Sequence, residues 1–355
     1  MTDTIGFGLL GSGMIASYHA RAVAASADLG ARLVTVSDVA SDRFPEISGK
    51  FGVECVLPSE MLANPDVNVV CVCTPSGNHA QDICTAALAG KHVLVEKPLA
   101  LTLADADAAI ATCAKHQVKL GVVLQRRLDP VFRAVKEAID KGDLGELTLG
   151  VATMPYYRTQ EYYAQATWRG TWALDGGGVL MNQGIHVVDL LLWYFGDPVE
   201  VQARAVTLHH PIEVEDAVVA TLRFANGAMA TLAATTSAAP GHPHRIEVYG
   251  TRGAVQVEGE TIVRWGVAKD DRGTVPPPPD EPIPTPGAAC DPRGISPEGH
   301  MRVVRDFVQA VRLDQQPVSS GEEGRRSLAA VLAVYRAAGI LPTRNPVLIS
   351  AIRES

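Results

Sequence analysis

The sequence predicts an α/β protein in which residues 1–124 form a doubly wound parallel sheet and residues 125–355 form a second, strand-rich domain. Short apolar runs alternate with helical segments through residues 1–124, which is typical of a parallel sheet with helices on both faces. From Val199 onward, strand-like segments follow one another, and Asn226 with Gly227 is a strong hairpin signal. A chain of 355 residues is long enough for two cores of ordinary size.

The first turn is glycine-rich and lies between a predicted strand and a predicted helix. The apolar run from Ile5 ends in Gly11, Ser12, Gly13, Met14, Ile15 and Ala16. In dinucleotide-binding units the first glycine permits a tight turn, the second admits the pyrophosphate, and a small third residue allows close packing. The helix start then offers amides to the phosphates. We predict that residues 11–15 bind a dinucleotide; the alternative is a structural turn without a ligand.

The second predicted strand, Arg32–Ser37, ends at Asp38. An acidic residue at this distance from the glycine turn accepts hydrogen bonds from the adenosine ribose and repels a 2′-phosphate. Asp38 therefore favours NAD over NADP. Two alternatives stay open: Asp38 caps the following turn, or the nearby Arg43 holds a phosphate.

Polar residues follow three further predicted strands, at 69–73, 92–95 and 119–124. Ligands of open parallel sheets bind at the carboxyl ends of the strands. We therefore predict cofactor contacts for Thr74, Pro75, His79, Glu96, Lys97 and Gln125, and a substrate contact for Arg126. For His79 the alternative is a structural place at a helix start. For Glu96 and Lys97 it is an ion pair with the lysine facing solvent, since an unpaired buried charge is costly.

A loop rich in tyrosine, tryptophan and arginine follows the predicted strand at 147–154. Aromatic faces stack on sugars, and a guanidinium group binds an anion in a fork. We predict that Trp168 and Arg169 contact the substrate. Alternatively, these aromatic residues fill a core or a subunit interface.

The segment from Gly178 to Gly196 is apolar almost all round and predicts a buried helix. Its polar residues Asn182, His186 and Asp189 are spaced by four and three, so they share one face. Such a stripe is either a satisfied structural network or the wall of an active site. The glycines at 176–178 favour the active site, because they allow close approach of the backbone to a ligand.

The amino-acid composition indicates which binding partners and which cellular compartment to expect. The net charge of −8 and the pI near 5.7 argue against nucleic acid and anionic membranes. Six cysteines without paired ligand spacing, no signal-like start and no long apolar stretch lead us to expect reduced thiols in a cytoplasmic protein. No metal site is expected, although His209, His210, His242 and His244 lie near predicted strand ends. Residues 272–298 predict a proline-rich loop.

Several motifs occur in the order of a known family. They are the glycine turn, TPSGNH at 74–79, EKP at 96–98, GGGVLMNQGIHVVDLL, and the C-terminal EGH and SSGEEGRRSLAAVLAVYRAA segments. Over its full length the chain resembles the Gfo/Idh/MocA oxidoreductases, the family of glucose–fructose oxidoreductase and inositol dehydrogenase. The resemblance implies a Rossmann NAD-binding domain and an α+β domain with a large, open, mostly antiparallel sheet, assembled as a homodimer or homotetramer.

The same resemblance matches Lys97 and His186 to the family's catalytic lysine and histidine. It implies reversible NAD(P)-dependent oxidation of a secondary alcohol on a sugar, cyclitol or nucleotide sugar. The chain departs from the family at Asn182, where many members have aspartate. Asparagine takes no proton, so a catalytic contribution from Asn182 is limited to orienting the substrate or Lys97.

The segment NQGIH at 182–186 resembles the branch of this family that includes uridine-diphosphate N-acetylglucosaminuronate 3-dehydrogenases. Two alternatives remain: an NAD-dependent glycosidase that oxidises its sugar transiently, and a cofactor-sensing regulator without catalysis. Retention of Lys97 and His186 argues against the regulator.

Overall fold

The computed structural model describes residues 4–268, 274–275, 289 and 296–341. The described chain divides into two compact units, the first formed by residues 4–125 and 297–325 and the second by the described residues of 126–296 and 326–341. We predicted that everything after residue 124 belongs to the second domain. The structure instead assigns residues 297–325 to the first unit.

The first unit is built on a six-stranded parallel sheet with the order β3-β2-β1-β4-β5-β6. The strands are β1 (Ile5–Leu10), β2 (Ala31–Ser37), β3 (Cys55–Val56), β4 (Val69–Val72), β5 (His92–Val95) and β6 (Leu120–Val122). The helices that follow these strands are α1 (Met14–Ala24), α2 (Phe44–Phe51), α3 (Pro58–Ala63), α4 (His79–Leu88) and α5 (Leu103–Lys115). The strand order reverses direction between β1 and β4, which makes their carboxyl ends the expected ligand position. The predicted doubly wound sheet is confirmed.

The second unit contains an eight-stranded sheet with the order β14-β13-β12-β11-β7-β10-β9-β8. Its strands are β7 (Leu147–Pro155), β8 (Pro198–Val206), β9 (Ala217–Phe224), β10 (Met229–Thr235), β11 (Arg245–Gly250), β12 (Gly253–Glu258), β13 (Thr261–Ala268) and β14 (Thr274–Val275). Only β7 and β10 pair in parallel, so the predicted, mostly antiparallel sheet is confirmed for the described strands. Side chains alternate along β9, with Leu222 buried and Val219 exposed, so one face of the sheet is covered.

The helices of the second unit are α6 (Pro130–Asp140), α7 (Gln160–Ala164) and α8 (Ile185–Phe195), and a π-helical turn at Val179–Gly184 precedes α8. The ring of Phe195 lies against Gly150, where a Cβ would approach it to 2.9 Å, so α8 packs on β7. We predicted one continuous helix over 178–196. The structure shows a six-residue π turn followed by α8.

Two helices close the described chain, α9 (Pro297–Arg312) and α10 (Gly321–Ala338). The ring of Phe307 on α9 packs against Gly121 of β6, and the Val122 amide donates to the Ser319 carbonyl at 2.8 Å. These contacts explain why residues 297–325 belong to the first unit.

Most of the predicted proline-rich loop, 272–298, lies outside the described residues. Where the structure does describe this range, the prediction of no regular element is wrong, because β14 and the start of α9 fall inside it.

Five cysteines lie in the described chain, and all five are buried free thiols: Cys55, Cys71, Cys73, Cys84 and Cys113. Burial raises the pKa of each, to about 12 for Cys113. Cys290 lies outside the described residues. In the part of the chain that the structure describes, no helix combines the length and apolar character needed to cross a membrane.

Candidate active site

The glycine turn has the geometry of a phosphate-binding loop. Gly11 has φ +100°, in the left-handed region, and a Cβ there would lie 3.0 Å from the Cys73 carbonyl oxygen. Gly13 is the N-cap of α1, and apart from its chain neighbours no atom of the described residues lies within 4 Å of the place where its Cβ would be. The first residues of α1, Met14 and Ile15, are exposed and half-buried. The amides of α1 therefore face an open approach that suits a dinucleotide phosphate.

Asp38 follows β2 and is joined to the glycine turn. The Ser12 hydroxyl donates to Asp38 Oδ2, and the Ala40 amide donates to Oδ1 at 3.0 Å. Burial would raise the pKa of Asp38, but these two hydrogen bonds and the charge of Arg43 outweigh it and lower the pKa below its usual range. Asp38 is therefore an ionised carboxylate where an adenosine ribose is expected, and it also caps its own turn.

Replacing Asp38 with alanine is expected to lower kcat/KM with NAD by about 10-fold or more, because a hydrogen bond to a charged group contributes about 1.5–3 kcal/mol. With NADP the value is expected to rise, because the negative charge no longer repels the 2′-phosphate. Initial rates with both cofactors measure the ratio, and Asp42→Ala, an exposed neighbour, serves as the control. An unchanged NAD to NADP ratio contradicts the assignment of Asp38.

His79 has a structural role. Its Nδ1 lies 2.7 Å from the Pro98 carbonyl oxygen and its Nε2 lies 3.0 Å from the Thr74 carbonyl oxygen. Both ring nitrogens are engaged inside the unit, so the geometry favours the structural alternative over a cofactor contact. Thr74 donates its hydroxyl to Asp82 Oδ2 at 2.6 Å, and Pro75 beside it is half-buried. His79 thus joins the end of β4 to the segment just after Lys97.

Glu96 is buried, and its Oε1 accepts hydrogen bonds from His19 Nε2 at 3.0 Å and His300 Nε2 at 3.3 Å. Burial would raise the pKa of Glu96, but the two histidines outweigh it and hold the pKa well below its usual range. The Glu96 carboxylate is therefore directed to these two histidines, and the cofactor contact of Glu96 stays a prediction. Glu96 anchors the residue before Lys97, which is half-buried.

Three potential metal ligands meet at this place. Within the described residues, His19, Glu96 and His300 form the one group of ligand atoms close enough to hold an ion, all within 4.8 Å of one another. The distances from Glu96 Oε1 to the two histidine Nε2 atoms are those of hydrogen bonds, so hydrogen bonding alone explains why the three side chains lie together.

Gln125, at the end of the first unit, presents a buried amide oxygen. Its Oε1 has no hydrogen-bond partner among the described residues. A buried acceptor without a donor is uncommon, because leaving it unsatisfied is costly. The oxygen is therefore available to a donor on a bound ligand, as predicted for a cofactor contact. Together with Gly11 and Asp38, it shows that the residues of this unit fit a dinucleotide.

In the second unit, the start of the π turn is held by Glu215 and Tyr335. Four successive backbone amides donate to these two residues: Gly178 to Glu215 Oε2 at 2.8 Å, Val179 to the Glu215 carbonyl at 3.0 Å, Leu180 to Glu215 Oε1 at 2.9 Å, and Met181 to the Tyr335 hydroxyl at 3.1 Å. The Tyr335 hydroxyl donates to Glu215 Oε1 at 2.7 Å. A Cβ on Gly178 would lie 1.7 Å from the Glu215 carbonyl oxygen, so only glycine fits. These partners satisfy the amides at the start of the π turn, which have no partner within the helix.

Burial raises the pKa of Glu215 from 4.5 to about 7. Hydrogen bonds from Leu180, Tyr335 and Gly178 lower the pKa, but burial has the larger effect. Between these pH values the folded protein binds more protons than the unfolded chain, so the contribution of Glu215 to stability falls as pH rises. The difference in pKa corresponds to about 3 kcal/mol. In Glu215→Gln the free energy of unfolding is therefore expected to lose the part of its pH dependence that Glu215 contributes.

Denaturant unfolding of both proteins between pH 4.5 and 7 measures the effect. Glu258→Gln, on the exposed end of β12, is the matched control. A constant difference in unfolding free energy between wild type and Glu215→Gln across this range contradicts the prediction.

The polar stripe on the buried helix has two parts. Asp189 accepts two hydrogen bonds from Arg127, both at 2.8 Å, and one from the Ser327 hydroxyl at 2.6 Å. This part is a satisfied structural network. Asn182 and His186 are half-buried, and they are the part that can line a site.

A second histidine lies near His186. His244 is buried, and burial, the charge of Arg126 and the charge of His186 hold its pKa well below its usual range. A neutral ring accepts at Nε2 from Arg126 Nη1 at 2.7 Å, which leaves the Nδ1–H to donate to the Tyr156 hydroxyl at 3.2 Å. The predicted substrate residue Arg126 is therefore held by a neutral partner.

Trp168 and Arg169 are half-buried and contact each other, with the guanidinium carbon 4.7 Å from the Trp168 ring centre. Arg169 Nη1 donates to the Tyr162 hydroxyl at 2.7 Å, and Gln183 Nε2 approaches the same hydroxyl at 3.4 Å. Because Gln183 is the neighbour of Asn182, this chain of contacts joins Arg169 to the π turn.

Three residues that hold this segment were missed from the sequence: Glu215 and Tyr335, which accept from the first amides of the π turn, and Asp175, whose Oδ1 accepts from Asn182 Nδ2 at 2.8 Å. Asp175 stands directly before three glycines, which is a signal that could have identified it. Glu215 and Tyr335 lie far along the chain from the turn that they hold, and no local pattern marks them. His244 was considered only as a metal ligand, and its partner Arg126 was not foreseen.

A parallel sheet of this strand order, with a glycine turn between β1 and α1, is typical of a dinucleotide-binding domain. Residues 5–124 match the profile of an oxidoreductase family with an NAD-binding Rossmann fold, and residues 132–256 match the GFO/IDH/MocA C-terminal domain. The chain belongs to the Gfo/Idh/MocA family. The recognition made from the motifs is confirmed, and the protein is an NAD-dependent oxidoreductase.

Known relatives resemble the chain over nearly its full length. An inositol 2-dehydrogenase from Rhizobium meliloti (strain 1021) is 32% identical over 340 residues, 94% of this chain and 96% of the relative. A myo-inositol 2-dehydrogenase from Thermotoga maritima is 29% identical over 338 residues, 90% and 92% of the two chains. The structure of the WlbA dehydrogenase from Bordetella pertussis with NADH and UDP-GlcNAcA is 32% identical, with a TM-score of 0.82 over 97% of this chain and 100% of that one.

Proposed function

We propose that the protein reversibly oxidises a secondary alcohol on a sugar, cyclitol or nucleotide sugar to the ketone. The observation that supports this most directly is the place of His186. It is half-buried on a helix whose other described residues are almost all buried, and the first turn before it is fixed by Glu215 and Tyr335. A histidine fixed in this way suits proton transfer at neutral pH.

In this proposal NAD, when bound, supplies the hydride acceptor. His186 removes the hydroxyl proton of the substrate, and Lys97 stabilises the negative charge that develops on the oxygen. A positioned acid or base accelerates a reaction by about 10²- to 10⁴-fold. A fixed cation at the oxygen adds an electrostatic contribution of comparable size. Asn182 contributes only hydrogen bonds, because its amide takes no proton.

Two guanidinium groups of the second unit favour an anionic sugar. Among the described residues, neither Arg126 nor Arg169 has a carboxylate partner, and each has a buried Nε without a hydrogen-bond partner. Both side chains are half-buried, but each buried Nε lacks an acceptor, and an unsatisfied buried donor is costly. An anionic substrate would satisfy it, which supports a hexuronate or nucleotide sugar over a neutral cyclitol.

Initial rates of NADH formation with inositols, free hexoses, hexuronates and uridine-diphosphate sugars, each repeated with NADP, test the proposal. We expect turnover on one class with NAD and the highest kcat/KM on an anionic member. Release of an aglycone without net NADH would instead identify the glycosidase. Absence of turnover across the panel, with NAD still bound, would favour the glycosidase or the regulator over the dehydrogenase.

The resemblance also suggests a homodimer or homotetramer, and we propose that the uncovered face of the eight-stranded sheet mediates it. Val219 and Met229 on this face are 56% and 58% exposed. Apolar residues on a sheet face are typical of an interface. Sedimentation velocity of wild type and Val219→Lys tests the proposal; an assembly state unaffected by the substitution would contradict this interface.

A further inference from the structure

Asn182 is hydrogen-bonded to a buried carboxylate. Its Nδ2 donates to Asp175 Oδ1 at 2.8 Å, and the other oxygen of Asp175 accepts the Gly170 amide at 2.9 Å. Asp175 is only 3% exposed. The backbone amides of Asp175 and Gly176 both donate to the Thr171 carbonyl at 3.1 Å, which fixes the loop in front of the π turn.

This contact determines which way the amide of Asn182 faces. An ionised carboxylate accepts hydrogen bonds and donates none, so the NH₂ group of Asn182 must point to Asp175. The amide oxygen is at the other end of the same planar group and turns away from Asp175. Asn182 is half-buried and lies in the π turn, four residues before His186. The side chain therefore presents an acceptor, and its charge does not change with pH.

We propose that Asp175 is a positioning residue that holds the amide oxygen of Asn182 toward the substrate, where it accepts a hydrogen bond from a substrate hydroxyl. The inference rests on the proposed oxidation of a sugar alcohol and specifies one feature of the substrate. That feature is a hydroxyl group near the oxidised carbon, bound by an uncharged acceptor. A substrate with a carboxylate at this place would face the amide oxygen and be rejected.

Exchanging the two residues tests the inference. In the double variant that combines Asp175→Asn with Asn182→Asp, the amide now at position 175 can accept from Gly170 through its oxygen. Its NH₂ group can donate to the carboxylate now at position 182, so both hydrogen bonds are kept while the charge moves to position 182. Asn182→Asp alone places two carboxylates at hydrogen-bond distance, which forces them to share a proton. Asp175→Asn alone leaves the orientation of both amides unfixed.

Thermal unfolding tests the pairing without reference to activity. We expect both single variants to unfold at lower temperature than wild type and the double variant to recover most of the loss. Additive losses would overturn the pairing. Asp143→Asn, which removes a partly exposed carboxylate of the same unit, is the control and is expected to unfold as wild type.

Kinetics test the role in substrate binding. For the substrate that wild type oxidises best, Asp175→Asn is expected to raise KM about 10-fold with a smaller change in kcat, the effect of one hydrogen bond. The recovered double variant is expected to gain a pH dependence of KM from its carboxylate at position 182. The inference would be overturned if Asp175→Asn keeps the wild-type KM and the KM of the double variant does not depend on pH. If wild type oxidises no member of the panel, the proposed function itself fails, and the unfolding result still decides the pairing.

Discussion

Lys97→Met is expected to lower kcat at least about 100-fold while the affinity for NAD stays within about twofold. Methionine has nearly the length and flexibility of lysine but no charge, so the variant removes the cation and little else. The residues on either side of Lys97 are held independently of its ammonium group. Glu96 is bound by His19 and His300, and the Pro98 carbonyl is bound by His79.

Steady-state kinetics with the best substrate of the panel and titration of NAD by protein fluorescence measure the two quantities. Lys115→Met removes an exposed lysine of the same unit and is expected to behave as wild type. Wild-type turnover in Lys97→Met would remove Lys97 from the mechanism. Loss of NAD affinity equal to the loss of kcat would assign it to the cofactor instead.

Asp189→Ala is expected to destabilise the second unit by about 3–5 kcal/mol, because it removes the carboxylate from a buried ion pair with Arg127. The side chains of Arg127 and Asp189 are 3% and 1% exposed, and their two hydrogen bonds are both 2.8 Å long. Removing one member of such a pair costs far more than the net contribution of the pair, since the remaining ion keeps its desolvation penalty.

Denaturant unfolding followed by tryptophan fluorescence is suitable, because the Arg127 guanidinium carbon lies 5.7 Å from the ring centre of Trp193. The control is Asp197→Ala, which breaks the exposed ion pair of Asp197 with Arg326 and is expected to cost at most about 1 kcal/mol. Equal losses in the two variants would contradict the prediction. If Asp189→Ala does not fold, Asp189→Asn provides a smaller loss in the same direction.

The parallel sheet was predictable because each of its main strands is a short apolar run followed by a polar turn, and this pattern depends only on nearby residues. The packing of α9 against the first unit could not be predicted from the sequence. An amphipathic helix shows in its sequence that one face is buried, but it does not show which surface covers that face. The contact of Phe307 with Gly121 of β6 joins residues 186 positions apart and has no local signature.

The same distinction applies to the candidate site. Gly11 and Asp38 are placed by their positions after β1 and β2, and the structure gives them the expected geometry. The partners of the Glu96 carboxylate, His19 and His300, could not be predicted, because they are 77 and 204 residues away in the chain. The π turn escaped prediction for the same reason, since Glu215 and Tyr335 satisfy its amides from distant positions.

Because they are buried, the five described cysteines should react only slowly with cysteine reagents. Only the thiolate attacks a maleimide or a disulfide, and a thiol with a pKa of about 12, such as Cys113, is ionised in about one molecule in 10⁵ at pH 7. Burial further blocks the approach of the reagent at all five described cysteines. A cysteine introduced on the surface will therefore react far faster than these five. Replacing Cys290 alone should prepare the protein for attaching a single fluorophore and observing each unit during turnover.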